Sequence, residues 1–346
     1  MNHPSSSAGQ PARILIVRLS ALGDLVFCTS LLEGLRRRYP AAHIAWLAQS
    51  GFAGLLEHDP RIDAVIGVPK DSLSSPRALL NLRRRLRAGR YDWVIDAQGL
   101  AKSRGLAWLA GGSRRIGFAS KEPLAFLMHE IVAKGGNPAD IASEYRALAQ
   151  HLTGSEPGAP RLPVQPESAE VVAQAVRDGT LPPRYVALCP FTTRPQKHWV
   201  DDYWPALAER LCADGQRRCV IFGGPGDRAH ADALLAAMPA GCVNLTGRTA
   251  LRDLPAWIAR ADALVGVDTG LTHIGIATGR PTVALFGSTC PYTGGADSPL
   301  SVLYDDLPCA PCKRRPTCDG AFTCMRQLTP ERAAAALRQL LDGASA

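Results

Sequence analysis

The sequence predicts an α/β protein built from two doubly wound parallel sheets, and three observations carry that reading. Short apolar, β-branched runs alternate with stretches of helical spacing along the whole chain. Several of the runs end directly in turns bearing Gly, Asp or Thr that lead into a helix, where open α/β sheets collect their ligands. Near the middle of the 346 residues, the segment 154–166 (GSEPGAPRLPVQP) packs four prolines and two glycines into thirteen positions. Such a stretch marks a boundary between domains. The expected division is a disordered extension at 1–12, a first Rossmann-like domain at 13–160 and a second at 161–346.

In the first half, residues 13–17 (RILIV) read as a strand. A Gly-containing turn, Arg18 to Asp24, then opens a helix over 25–39. Asp24 suits a helix cap, and a carboxylate at a strand-to-helix turn is also well placed to act as a general base facing an interdomain cleft. Strands follow at 43–48 and 65–68. A polar connection with Ser72, Ser74, Ser75 and Pro76 is expected to be a mobile loop, and an Arg-studded helix covers 79–88. The strand 91–96 (YDWVID) delivers Asp96, Gln98 and Gly99 into a turn with Lys102 and Ser103 close behind, and 114–118 is a further short strand.

The second half repeats the pattern. A helix at 171–177 precedes the strand 185–189, which runs into FTTRPQKHW. There Thr192 and Thr193 offer hydroxyl and backbone donors and Lys197 a mobile cation, a set suited to a diphosphate. The strand 218–222 ends in GGPGD, a strand at 243–245 and a helix at 251–260 follow, and the strand 281–286 ends in Gly287, Ser288 and Thr289. Between them, 263–267 is a buried strand that delivers Asp268, Thr269 and Gly270 into a helix over 271–277. Gly270 permits close approach to the backbone, the helix start favours an anion, and Asp268 and His273 can bind sugar hydroxyls or phosphate oxygens. An N-cap Asp with a surface His is the plainer alternative.

Composition is that of a globular protein, with 46% hydrophobic and 20% charged residues. No apolar run is long enough for a membrane span and the N-terminus is unlike a signal peptide, so a cytoplasmic protein is expected. The net charge of +8 is concentrated in the first half. Residues 1–161 carry 21 Lys and Arg against 13 Asp and Glu, whereas the remainder carries 18 of each. An excess on one half suggests an anionic partner, such as a phosphorylated glycolipid or an anionic membrane surface. No motif for nucleic-acid binding accompanies it.

Of the ten cysteines, Cys28, Cys189, Cys212, Cys219, Cys242 and Cys290 are scattered and read as small core residues. Cys309, Cys312, Cys318 and Cys324 cluster as C-x2-C-x5-C-x5-C. In a chain expected to be cytosolic that pattern points to a zinc or iron knuckle more than to disulfides, and the metal would be structural because four ligands leave no open position.

Four ordered motifs, RLSALGD (18–24), DAQGLAKS (96–103), FTTRPQKHW (191–199) and VDTGLTHIGIA (267–277), resemble glycosyltransferase family 9, the ADP-heptose:lipopolysaccharide heptosyltransferases. The resemblance runs over nearly the whole chain. DAQGL-x-KS, TTR-x2-KHW and the KEP at 121–123 are most similar to heptosyltransferase I. It implies a GT-B fold, two Rossmann-like domains whose parallel sheets face each other across a cleft. It also implies an inverting, metal-independent transfer of heptose from ADP-L-glycero-β-D-manno-heptose to Kdo2-lipid A or a related lipopolysaccharide precursor. By the same resemblance Asp24 is the base and Lys197 a catalytic contact to the leaving diphosphate. Thr192, Thr193, Asp227, Asp268, Thr269, Gly270, Leu271 and His273 bind the donor, and Ser20, Gln98, Lys102 and Lys121 the acceptor. The enzyme would act at the inner face of the inner membrane, docking transiently. A family member that adds a later heptose or heptosylates a protein, a GT-B nucleotide-sugar epimerase, and a non-catalytic binder remain open at this point.

Overall fold

The computed structural model describes residues 10–69, 75–137, 139–140, 142–289, 299–312 and 315–343. Residues 1–9 of the expected extension, Ser72 and Ser74 of the expected loop, and Cys290 lie outside the described residues. Two compact units emerge. One comprises the chain up to Ser20, Ser30–Gly136 and Glu144–Gly158; the other takes Ala21–Thr29, Asn137–Ser143 and everything from Ala159 onward.

The first unit is a six-stranded parallel sheet in the order β3-β2-β1-β4-β5-β6. Its strands are β1 (Arg13–Val17), β2 (His43–Gln49), β3 (Ala64–Val68), β4 (Trp93–Asp96), β5 (Arg114–Phe118) and β6 (Glu130–Val132). The helices in this part of the chain are α1 (Leu22–Arg38), α2 (Ser50–Ala53), α3 (Pro76–Ala88), α4 (Ala101–Ala110) and α5 (Ala142–Thr153). Ile14 to Val17 are all fully buried, with no polar alternation, as a central strand covered on both faces requires. Ile16 is in register with Trp46 on one side and Ile95 on the other. α3 begins cleanly because the Ser75 hydroxyl accepts from the Ala78 N–H and Pro76 fits the first turn. It buries Leu82 and Leu86 and turns its arginines outward.

The second unit repeats the architecture, in the order β12-β11-β10-β7-β8-β9. Its strands are β7 (Tyr185–Cys189), β8 (Arg218–Ile221), β9 (Val243–Asn244), β10 (Ala263–Val267), β11 (Thr282–Leu285) and β12 (Leu300–Leu303). Its helices are α6 (Pro166–Arg177), α7 (Tyr203–Cys212), α8 (Arg228–Ala236), α9 (Leu254–Arg260), α10 (Gly270–Ala277), α11 (Thr323–Arg326) and α12 (Pro330–Gly343). Both sheets have the strand order of the dinucleotide-binding fold, and its reversal places a ligand crevice beyond the carboxyl ends of the two central strands. Those strands are β1 and β4 in one unit and β7 and β10 in the other.

The strands expected from apolar runs are present, with β4 starting at Trp93 rather than at Tyr91. The edge strands β6 and β12 and the helices α4, α5, α7, α8 and α12 were not expected from sequence.

Candidate active site

The carboxyl ends of β7, β10 and β11 meet at one carboxylate. Asp268 follows β10 directly and is buried. Its Oδ2 accepts hydrogen bonds from the Lys197 ammonium, which leaves the short 3-10 turn Pro195–Lys197 after β7, and from the Thr289 hydroxyl after β11, the latter at 2.6 Å. The Nε2 of His273, on α10, lies 3.3 Å from Oδ1. Because a carboxylate only accepts, that contact assigns a proton to Nε2. Burial opposes ionisation of Asp268, but the hydrogen bond and charge of His273 and the charge of Lys197 outweigh it. They hold the carboxyl well below its ordinary value of 3.8. The Nδ1 of His273 is buried and has no hydrogen-bond partner among the described residues.

Thr269 takes the N-cap position of α10 in an extended conformation without a side-chain cap. The first-turn N–H groups are thus aimed at the space beyond the strand ends. Gly270 and Leu271 are half-buried there. Thr192 is half-buried and Thr193 exposed, both between β7 and the turn that carries Lys197, and the Thr192 carbonyl pairs with His198 Nε2 at 2.9 Å. Asp227 lies in the turn after β8, where its carboxylate accepts from the Gly224 N–H at 2.9 Å.

The segment 21–29, which belongs to this second unit, lies against the same residues. The rings of Phe27 and His273 are 4.5 Å apart. A Cβ added at Gly23 would come within 2.6 Å of His273 Cδ2, and one at Gly270 within 2.7 Å of the Leu22 side chain. The two glycines therefore allow the RLSALGD and DTGLTH turns to touch. Asp24 is the third residue of α1, and its Oδ2 accepts from the Ala21 N–H at 3.1 Å. The carboxylate thus caps the helix start that it occupies.

In the first unit the turn after β4 is organised by Asp96, whose Oδ1 accepts from the Gln98 and Gly99 N–H groups at 3.0 and 3.1 Å. Burial raises the Asp96 carboxyl above its usual range despite those bonds. Gln98 Oε1 accepts from the Leu19 N–H at 2.8 Å, so it ties the turn after β4 to the turn after β1 that bears Ser20. Lys102 and Lys121 are exposed.

Residues 79–321 match the family described as glycosyltransferase family 9 (heptosyltransferase). The chain belongs to that family. Lipopolysaccharide heptosyltransferase 1 of Pseudomonas aeruginosa is 30% identical over 95% of this chain and 98% of its own length. Lipopolysaccharide heptosyltransferase 2 of Salmonella typhimurium is 27% identical over 95% and 99%. The Escherichia coli heptosyltransferase WaaC, solved with ADP-2-deoxy-2-fluoro heptose, superposes with a TM-score of 0.71 at 26% identity, covering 96% of this chain and 99% of that one. The family 9 chain is thus a glycosyltransferase with the GT-B class of fold, and inversion at the transferred sugar is a general property of its family.

Sequence reasoning missed two features of this family 9 enzyme. Arg104, on α4, is fully buried and donates to the Pro123 carbonyl at 2.8 Å, the Phe118 carbonyl at 2.9 Å, the Ser120 hydroxyl at 3.0 Å and the Glu122 carbonyl. It fixes the segment that carries Lys121, and nothing distinguished it in sequence from the many exposed arginines.

The other concerns the cysteines. Cys309, Cys312, Cys318 and Cys324 line one cavity with Gln196 and Gly287, and burial raises the Cys312 and Cys324 thiols. Among the described residues, however, the sulfurs gathered within 4.8 Å of one another are those of Cys212, Cys219 and Cys242. The sequence reads those three as separate core residues. Cys219 is buried, but Cys212 and Cys242 are only half-buried.

Proposed function

We propose that this enzyme transfers L-glycero-D-manno-heptose from ADP-heptose to a Kdo hydroxyl of Kdo2-lipid A in inner-core lipopolysaccharide synthesis. The observation that carries the reading is the buried Asp268 carboxylate, joined to Lys197, His273 and Thr289 where three strands of one sheet end. The relative named heptosyltransferase 1, 30% identical over nearly the full length of both chains, supports the choice of acceptor.

In this reading the domain from 161 onward holds the donor and the domain 13–160 the acceptor. Thr192, Thr193 and the N–H groups opening α10 at Thr269, Gly270 and Leu271 receive the diphosphate, and Asp227 the ribose. Asp268 and His273 orient the heptose, with His273 Nδ1 as the buried polar atom left for a ligand. Asp268 also holds the Lys197 ammonium in place. Ser20, Gln98, Lys102 and Lys121 contact the acceptor, the two lysines through its anionic groups.

The reaction forms a bond from the Kdo oxygen to the anomeric carbon while the bond from that carbon to the β-phosphate oxygen breaks, with inversion. Asp24 accepts the proton of the attacking hydroxyl. Negative charge grows on departing ADP, where Lys197 and the helix-start N–H groups stabilise it, so no divalent metal is needed for this step. Losing Lys197 should cost about 2–4 kcal/mol in the transition state, as for other preorganised donors. The four thiols at 309–324 would hold a zinc or iron ion with a structural role. Their shared cavity fits such a role once the sulfurs draw closer than they stand. The enzyme works from the cytoplasmic face of the inner membrane, docking transiently on its anionic surface.

The test is ADP release from ADP-heptose with and without Kdo2-lipid A, in the wild type and Asp24→Ala. Release that requires the acceptor and drops at least about a hundredfold in the variant is expected for a lost general base. Release only with an acceptor that already carries one heptose would assign the later transfer instead. Release without any acceptor would point to hydrolase or epimerase chemistry.

A further inference from the structure

We infer that Cys212, Cys219 and Cys242 form a second metal site, a three-thiolate cradle for one soft, thiophilic cation such as Zn²⁺. The site goes beyond the transfer reaction and uses none of its residues.

Cys212 ends α7, Cys219 is the second residue of β8, and Cys242 immediately precedes β9. β8 and β9 run parallel with Val220 opposite Val243, so Cys219 stands level with Cys242. The helix before β8 brings Cys212 over the pair. The sulfur of Cys212 lies 4.0 Å from that of Cys219 and 3.9 Å from that of Cys242. Thiolates bound at the usual Zn–S length of about 2.3 Å stand about 3.8 Å apart in a tetrahedral site and about 4.0 Å apart in a trigonal one. These separations match a shared ion and are about twice a disulfide bond of about 2.05 Å.

The charge of the surroundings suits thiolates. Arg218 lies along Gly241, where an added Cβ would meet its Nε at 2.7 Å, and it donates to the carbonyls of Gly215 and Arg217. That arrangement keeps a guanidinium beside the sulfurs to offset the surplus negative charge of three thiolates on a divalent ion. Thiolates are the form that binds soft metals.

Position fits a structural role. The three sulfurs lie at the amino ends of β8 and β9, whereas the Asp268 group lies at the carboxyl ends of β7 and β10 in the same sheet. Cys219 belongs to the core of this unit, and Cys212 and Cys242 pack against that core. A metal there would clamp the edge strand β9, only two residues long, to β8 and α7. Partial exposure of Cys212 and Cys242 leaves the ion a route in and a fourth position for solvent.

The full-length protein is alkylated with iodoacetamide with and without three equivalents of Zn²⁺, enough to fill both this site and the 309–324 cluster, and each cysteine peptide is followed by mass spectrometry. Labelling of Cys212 and Cys242 should slow at least about tenfold with zinc and recover on adding EDTA, because a metal-bound thiolate is a poor nucleophile. Peptides from 309–324 report that cluster separately. Unchanged rates at Cys212 and Cys242 would overturn the inference, leaving three packed thiols. So would a metal-independent loss of two thiols to a disulfide within the trio. As a second measurement, Cys212→Ser/Cys242→Ser should retain one zinc ion fewer than wild type in native mass spectrometry, and equal stoichiometry would refute the site. Where that variant does not fold, the wild-type labelling decides.

Discussion

Asp268 shows what one residue must be given to work as a buried anion. A carboxylate taken out of water is unfavourable unless charge and hydrogen bonds return what hydration supplied. Lys197, His273 and Thr289 do so from three separate elements. The carboxyl is therefore held below its unfolded value of 3.8, and its contribution to stability is complete above that pH and declines as pH falls further. Asp268→Asn leaves the Lys197 ammonium without its counter-charge. It should destabilise the protein by about 2 kcal/mol at pH 7, a figure reduced for the partial exposure of Lys197. Urea midpoints of wild type and variant should then converge as the pH is lowered below about 4, since the wild type alone loses a carboxylate. A gap that stays constant across the acid range would mean that the ion pair contributes nothing to folding. The residue types of this group were legible in sequence, because Asp268, His273 and Lys197 each stood at a strand-to-helix turn. Their pairing was not, since 71 residues separate Lys197 from Asp268 and only the adjacency of β7 and β10 closes that distance.

At the scale of elements, α10 can sit close to the sheet because β10 has a glycine beneath it. Gly266 is in register with Cys189 of β7 and Ala284 of β11. A Cβ there would come within 2.2 Å of Thr272 Oγ1 and 2.9 Å of Cys189 Cβ. The Thr272 hydroxyl is already committed to the Val267 carbonyl at 2.6 Å. Gly266→Ala must push α10 outward, which should cost about 1–3 kcal/mol in equilibrium urea unfolding. The displacement also moves His273, so donor KM should rise in the same variant, and an unchanged KM would mean that the helix absorbs the extra carbon without shifting. Elements of this kind were legible when burial was complete. β7 and β10 are continuous apolar runs, and the sheet interior dictates them. β6 and β12 escaped because edge strands of three and four half-exposed residues carry no such run. α4 escaped because AKSRGLAWLA mixes a buried Arg and Ser into its inward face. The thiol trio is the same lesson in side chains: no spacing pattern links residues that only the parallel register of β8 and β9 brings level.

Over the whole molecule, the charge imbalance legible in composition resolves into two kinds of arginine once the fold is known. Several of those in the first unit are consumed internally: Arg36 pairs with Asp63, Arg61 with Asp59 and Glu33, and Arg114 with Glu130. Arg83, Arg84 and Arg85, on α3, are exposed and make no ion pair among the described residues. Leu80 on the same helix is also exposed, and Phe126 in the first unit is 81% exposed. Among the described residues no helix is long and apolar enough to cross a membrane. A basic helix with exposed apolar neighbours binds an anionic bilayer by charge and shallow burial together. Each basic residue near such a surface contributes about 1 kcal/mol. Arg83→Glu/Arg84→Glu should therefore weaken binding of the full-length protein to vesicles containing anionic phospholipid at least about tenfold at low salt. Raising the ionic strength should release the wild type over the same range, because these charges are fully screened only by added ions. ADP-heptose turnover on a soluble, delipidated acceptor should be unaltered by the double substitution, which separates docking from chemistry. Equal vesicle binding by both proteins would place the membrane contact elsewhere and return the α3 arginines to the role of a solvated face.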